Sequence, residues 1–349
     1  MKTEGATMRV ATYYSNDDIR IEEMPVPRIA ETEILMRVEA SGICGSDVLE
    51  WYRRKKAPLV LGHEVAGQVV KVGSGVSKFK EGDRIVASHH VPCNTCFYCL
   101  TGHHTACETL RQTNFDPGGF SEYIRIPSIN VDRGVFIIPD ELSYQEATFH
   151  EPLGCVIRAQ RIAGLSAGQN VLVIGSGTAG LLHVLMARSS GAGRIVAVDI
   201  VPYRLQAARK LGADQALKPC EDIQKRFRQM NNGRLADLVL VCTGAKQALI
   251  QALQSVERGG TVLFFAPTDP QVEIPISIND LFFKNDITLT TSYGASPYDS
   301  WCTLEILRSP YVNVKDMITH RLPLEETGRG FQIAARAKDS IKVIIEPQK

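Results

Sequence analysis

The 349-residue chain has almost no net charge: 39 Lys and Arg stand against 38 Asp and Glu, leaving +1. A surface without a dominant sign gains little from a phosphate backbone, so nucleic acid is not expected as a partner. No run of like charges is long enough to act as a nucleic-acid or membrane tail. The one basic cluster, Arg53 to Lys56, reads as a solvated loop. Long hydrophobic runs are missing too. The longest apolar stretch, Val171 to Ala187, is broken by Gly175, Gly177, Gly180 and His183, so it is no membrane span. The opening MKTEGATMRV lacks the apolar core of an export signal, and a cytoplasmic location is expected. No internal repeat or low-complexity segment appears.

What is present is an ordinary globular balance, 44% apolar and 22% charged, in a length that suggests two domains. Without export, the nine cysteines are expected as thiols or metal ligands rather than disulfides. Up to about residue 150 the chain reads as short strands divided by turns: EILMRVEASGICG, GQVVKVGSGV, GDRIVAS, SEYIRIP. Near Arg158 the texture changes. VLVIG, RIVAVD, ADLVLVC and GTVLFFA are apolar runs of strands covered on both faces, and PYRLQAARKLG and AKQALIQALQSVERGG between them have helical periodicity. That alternation predicts a doubly wound parallel sheet. The last fifty-odd residues are read as one helix, SWCTLEILRS, and a final strand, SIKVIIEP, that rejoins the first domain. The expected division is 1–157 with 295–349, and 158–294.

In VLVIGSGTAG, the residues Gly175, Gly177, Thr178, Ala179 and Gly180 lie between a predicted strand and a predicted helix. Glycines there permit the tight turn, the approach of a pyrophosphate and close helix packing, while the helix N-terminus favours the phosphates. Asp199 ends the next strand, where an acid meets the ribose hydroxyls, and Arg204 follows it. A carboxylate there repels a 2′-phosphate, so NAD is expected over NADP.

Cys93, Cys96, Cys99 and Cys107 form C-x2-C-x2-C-x7-C, a set that closes a tetrahedron around structural zinc and leaves no open position. Gly102 and Asn94 suit the tight turns; His103 and His104 are read as exposed loop. An iron–sulfur cluster fits the spacing less well. A closed site cannot activate a substrate. SGICGSD with Cys44 and Ser46, LGHEVAG with His63 and Glu64, and FHEPLG with Glu151 offer the Cys, His and carboxylate of an open zinc site. Spacing alone does not link these segments.

Along the chain, Cys44, the GHE of His63 and Glu64, the four-cysteine loop, the EPLG at Glu151 and the later GSGTAG come in an order that resembles the zinc-containing medium-chain alcohol dehydrogenase superfamily, across essentially the whole chain. The Glu after His63 and the EP at Glu151 are similar to the polyol (sorbitol) and threonine dehydrogenase branch. The resemblance implies an α/β fold: a GroES-like β-rich catalytic domain with an inserted Rossmann domain and catalytic zinc in the cleft between them. By motif, Cys44 and His63 are direct ligands, Glu64 is a ligand or its exchange partner, and Glu151 lies near the metal. Two zinc ions per chain, NAD, a small-molecule alcohol or ketone, and a homo-oligomer (tetramer or dimer) are implied.

The implied reaction is reversible oxidation of a secondary alcohol, a polyol, cyclitol or sugar derivative, to its ketone through a zinc alkoxide and hydride transfer to NAD. Threonine or a simple secondary alcohol is the alternative substrate. A zinc-free quinone or enone reductase and a nucleotide-binding scaffold protein are the rival readings, and the complete ligand set counts against both. Ser46 is the expected first proton acceptor. Leu49 stands where many relatives have a histidine, and SYGASPYDSW lacks the arginine of sorbitol dehydrogenases. Trp51 and Tyr52 are expected near the pocket or packed beneath its loop.

Overall fold

The glycine-punctuated, β-branched runs of the N-terminal part form eight strands, as β propensity on half-buried surfaces requires. They are β1 (Thr7–Ser15), β2 (Asp18–Pro25), β3 (Ile34–Gly42), β4 (Leu59–Val60), β5 (Glu64–Val72), β6 (Arg84–Ala87), β7 (Tyr123–Ile126) and β8 (Val135–Ile137). Six parallel strands follow: β9 (Val171–Ile174), β10 (Ile195–Val198), β11 (Gln215–Leu217), β12 (Ala236–Val241), β13 (Val256–Phe264) and β14 (Thr288–Thr291). The chain ends with β15 (Ile318–Pro323) and β16 (Lys342–Glu346). The computed structural model describes residues 5–349. They divide into two units: one runs to Gly154 and resumes at Gly294–Lys349, the other is Cys155–Tyr293.

In the first unit the order β15-β16-β3-β5-β6-β8, with β7 also on β3, makes a seven-stranded sheet, and β2-β1-β4 makes a three-stranded one. The C-terminal strand belongs here because β16 pairs antiparallel with β3, Ile344 opposite Gly42. Two apolar clusters support the sheet, one around Ile34, Val65, Ile85 and Ile124, the other around Tyr13, Phe120, Phe331 and Ile345.

The second unit has the order β11-β10-β9-β12-β13-β14, all parallel. This is the doubly wound arrangement whose order reverses beside β9, where α/β sheets bind ligands. Every residue of β9 and β10 is buried, which explains their unbroken apolar runs. Among the described residues no helix is long and apolar enough to cross a membrane.

Two sequence expectations are corrected. The helical stretch AKQALIQALQSVERGG stops at Ser255, and Val256 to Gly260 open β13, because Val256 pairs with Ala236 of β12. The last fifty-odd residues hold two long helices, Pro297–Arg308 and Thr327–Arg336, not one. Gly328 and Gly330 give the Thr327–Arg336 segment the local character of a loop. Gly330 packs closely: a Cβ there would lie 2.9 Å from Ile43 Cδ1, so that side-chain end would have to shift.

Candidate metal centres and cofactor site

The segments carrying Cys44 and His63 meet through strand register. Antiparallel β3 and β5 pair Gly42 with Glu64, so the residues just beyond each strand end face one another. Ligand atoms of Cys44, His63 and Glu64 all lie within 4.8 Å of one another. Gly42 is required at this crossing: a Cβ would overlap Glu64 Oε2 and stand 2.8 Å from Lys342 Cε.

Asp47 organises the turn after β3. Its Oδ2 accepts the Cys44 amide at 3.0 Å, and its Oδ1 lies 3.4 Å from His63 Nδ1. A carboxylate on Nδ1 leaves the other ring nitrogen for a metal, as in carboxylate–histidine–zinc arrangements. Burial opposes protonation of His63, yet Asp47 and the Cys44 sulfur outweigh it and hold the imidazole well above its ordinary value. A Cys, a His and a carboxylate around a spot this favourable to positive charge fit a catalytic zinc.

Glu64 also forms an ion pair with Lys342 of β16, and both side chains are 1% exposed. Lys342 Nζ has the Ile43 carbonyl at 3.4 Å and the Phe149 ring at 5.6 Å. Ser46 donates to Cys44 Sγ at 3.4 Å and accepts from Arg53 Nη2 at 3.1 Å. Behind His63, the His89 ring lies 4.7 Å away and His90 stacks on it at 3.9 Å. Burial holds His90 down at about 4, and its Nδ1 is 3.0 Å from the Thr113 carbonyl. Glu151, in the first turn of the helix His150–Ile162, is not part of the Cys44–His63–Glu64 cluster. Trp51 and Tyr52 pack on each other, 5.7 Å between rings, and Tyr52 carries Arg53 on its face at 4.7 Å.

The four-cysteine loop closes on itself. Cys93, Cys96, Cys99 and Cys107 sulfurs all lie within 4.8 Å of one another, with separations of 3.6 Å for Cys96–Cys99 and Cys93–Cys107 and 4.0 Å for Cys93–Cys99. Sulfurs at a Zn–S distance of about 2.3 Å on a tetrahedron stand about 3.8 Å apart, so zinc fits. Hydrogen bonds from Thr95 and Cys96 pull Cys93 down to about 5, while burial pushes Cys99 up to about 12. Four sulfurs gathered this closely form a ligand set for one cation. Asn94 (φ 61°) and Gly102 (φ 83°) make the left-handed turns. His103 is exposed, but His104 is half-buried in a turn, which corrects the reading of both as exposed loop. Arg133 braces the loop from outside by donating to the carbonyls of Pro92 and Cys93 at 2.9 and 2.6 Å.

In the second unit Gly175 (φ 93°) turns the chain from β9 into the helix Thr178–Ser189, which Gly177 caps. A Cβ on Gly180 would overlap the Gly175 carbonyl oxygen, so helix and turn pack at backbone distance. Thr178 and Ala179 are half-buried in the first turn. Asp199 accepts the Ser176 amide at 2.7 Å and the Val201 amide at 2.8 Å, which fixes the carboxylate beside the glycine turn. Arg204 reaches the same spot, its Nη1 3.7 Å from where a Gly177 Cβ would be. Burial lowers its guanidinium's proton affinity, and Asp199 works against that.

Sequence reasoning passed over Asp47, His89, Arg133 and Lys342, and read Arg53 only as part of a solvated loop, whereas its side chain is 14% exposed. Two left a signal: the acid three residues after Cys44 suits a turn that reaches back to its amide, and Lys342 is a lone cation near the start of an apolar strand.

Residues 30–140 match the alcohol dehydrogenase GroES-like domain, and residues 179–308 match the zinc-binding dehydrogenase domain. The L-threonine 3-dehydrogenase of Bacillus licheniformis is 35% identical over 335 residues, 93% of this chain and 94% of the relative. The sorbitol dehydrogenase of Bacillus subtilis is 34% identical, with 98% of each chain covered. Among solved structures, the alcohol dehydrogenase TADH from Thermus sp. ATN1 superposes with a TM-score of 0.84 at 30% identity, covering 97% of this chain and 99% of that one.

Proposed function

The chain belongs to the zinc-containing medium-chain alcohol dehydrogenase family, and we propose that it oxidises a secondary alcohol of the polyol, cyclitol or sugar-derivative class to the ketone, reversibly, with NAD. The observation that carries this reading is the convergence of Cys44, His63 and Glu64 within 4.8 Å, with Asp47 on the far nitrogen of His63. When bound, zinc supplies Lewis acidity to the alcohol oxygen and NAD supplies the hydride acceptor.

The chain's own residues do the rest. Cys44 and His63 hold the metal, and Asp47 fixes the imidazole's orientation. Glu64, paired with Lys342, would offer its carboxylate to the metal as a ligand or exchange partner. Ser46 Oγ receives the hydroxyl proton. Since Arg53 cannot accept a proton and Leu49 has none to pass, that proton leaves through water or Glu151. The glycine turn takes the pyrophosphate and Asp199 the ribose hydroxyls, which supports NAD. The four-cysteine zinc is structural, because its four ligands fill the tetrahedron.

We include a homo-oligomer and a cytoplasmic location in this reading. The open edge of β14 and the exposed Ile278 and Phe283 support self-association, and a cluster of thiol ligands suits a reducing compartment. Light scattering on the purified chain tests the first.

The decisive experiment pairs metal analysis with a screen for NAD reduction over polyols, cyclitols, sugar derivatives, threonine and simple secondary alcohols. Two zinc ions per chain with turnover of a polyhydroxy alcohol is the expected result. Threonine as the preferred substrate would replace it with the alternative reading. Full metal loading without any turnover would favour a nucleotide-binding scaffold.

A further inference from the structure

The stretch Glu50–Lys56 carries four cations and one acid; Arg54, Lys55 and Lys56 are exposed, as a solvated loop predicts, and Arg53 departs from that reading. A short helix, Glu50–Arg53, runs into a turn, Arg54–Lys56, and the curl places Arg53 and Lys56 against one ring, that of Tyr52, at 4.7 and 5.2 Å. Arg53 points inward and its side chain is only 14% exposed. Its Nε donates to the Ser46 carbonyl at 3.0 Å, and its Nη2 donates to Ser46 Oγ at 3.1 Å and approaches Asp47 Oδ1 at 3.3 Å. Ser46 Oγ in turn lies 3.4 Å from Cys44 Sγ. The guanidinium is therefore two hydrogen-bond lengths from a ligand of the reactive site.

Asp47 does not neutralise this cation alone, since its carboxylate is shared with His63 and the Cys44 amide. Among the described residues Nη1 has no acceptor, and no carboxylate pairs with Arg54, Lys55 or Lys56. A neutral polyol has no use for such a concentration of positive charge. Fixed guanidinium donors match anionic oxygens.

We propose that the substrate alcohol carries an anionic oxygen group, carboxylate or phosphate, which Arg53, supported by Lys56, holds while the reacting hydroxyl lies beside Cys44 and His63. The inference rests on the dehydrogenase reading above and narrows its substrate class to hydroxy acids, sugar acids or sugar-alcohol phosphates. Arg53 touches the substrate's anion, and Lys56 adds long-range attraction.

The test uses the zinc-replete full chain with NAD and matched pairs on one carbon skeleton: aldonates against alditols, and alditol phosphates against alditols, beginning with gluconate, sorbitol 6-phosphate and sorbitol. The anionic member is expected to have a kcat/KM about 10- to 100-fold higher, the range of a hydrogen bond to a charged group. The favoured arm separates carboxylate from phosphate. Arg53→Met releases Ser46 and Asp47 as well, so absolute rates fall for every alcohol. The readout is the anionic-to-neutral ratio, which should collapse through KM, recover in part in Arg53→Lys and fall less in Lys56→Met. Calorimetric titration of the NADH complex with gluconate or sorbitol 6-phosphate should lose its heat in Arg53→Met.

Neutral alditols turned over as well as their anionic partners, with no binding heat from either anion, would overturn the proposal and leave the dehydrogenase reading intact. A raised KM for NAD with an unchanged ratio would also overturn it, assigning the cations to the cofactor. Full zinc and NADH binding with no alcohol oxidised would overturn both readings.

Discussion

Lys342, on the last strand of the chain, closes an ion pair with Glu64, and neither side chain reaches solvent. The pair joins residues 278 positions apart, beside a candidate zinc ligand. Removing one partner strands a buried charge, which costs about 3–5 kcal/mol. Lys342→Met is thus expected to lower unfolding stability by that order in metal-free protein, and Glu64→Gln to recover part of it. Denaturant titration of the double-mutant cycle checks this; additive losses would mean that the two groups are not coupled.

The two metal sites should separate. Cys44→Ser is expected to remove one zinc and abolish turnover with little change in melting temperature. Cys99→Ser should remove the other zinc and lower the melting temperature, because the loop loses its cross-link. Metal analysis beside calorimetry decides; loss of both zincs in either variant would contradict independent sites.

Asp47 acts through His63, so Asp47→Asn should weaken catalytic zinc binding by about 10- to 100-fold. Competition with a chelator measures it. An unchanged affinity would reduce Asp47 to a turn-former for the Cys44 amide.

Cofactor choice should follow Asp199. Asp199→Asn removes the charge and keeps an acceptor for only one of the Ser176 and Val201 amides, and Arg204 is already beside the turn. The NAD-to-NADP ratio of kcat/KM is expected to fall roughly tenfold or more. A constant ratio would move discrimination to other residues.

The pH dependence of stability has a defined sign. His150 is fully buried against Ser88, Thr303 and Phe136, and burial lowers it to about 3; His90 is lowered to about 4. Thr303 gives its proton to the Ser300 carbonyl, so His150 Nδ1 donates to Thr303. These histidines stay neutral when folded and take up protons when unfolded below about pH 6.5. Stability is therefore complete above that value and falls as pH drops toward 4, with each histidine approaching about 1.4 kcal/mol per pH unit. Melting curves from pH 8 to 4.5 should show the decline, and His150→Asn should make it shallower.

Much of this was readable along the chain because it is local. The glycine turn needs a positive φ at Gly175 and a missing Cβ at Gly180, and both constraints act within six residues. The four cysteines lie on one loop, so their spacing alone implied their convergence. The helix Thr327–Arg336 was hidden because its two glycines lower local helix propensity, while the packing of Gly330 against Ile43 and Ile345 is a tertiary contact.

The sequence by itself determined the two kinds of fold, the phosphate-binding turn and the closed metal loop, since backbone sterics and ligand spacing operate over short stretches. The tertiary structure decided the open site. Only the pairing of β3, β5 and β16 brings Cys44, His63, Glu64 and Lys342 together, and only the curl at Glu50–Lys56 turns Arg53 inward onto Ser46. Those contacts come from strand register and burial, and no local pattern of residues encodes them.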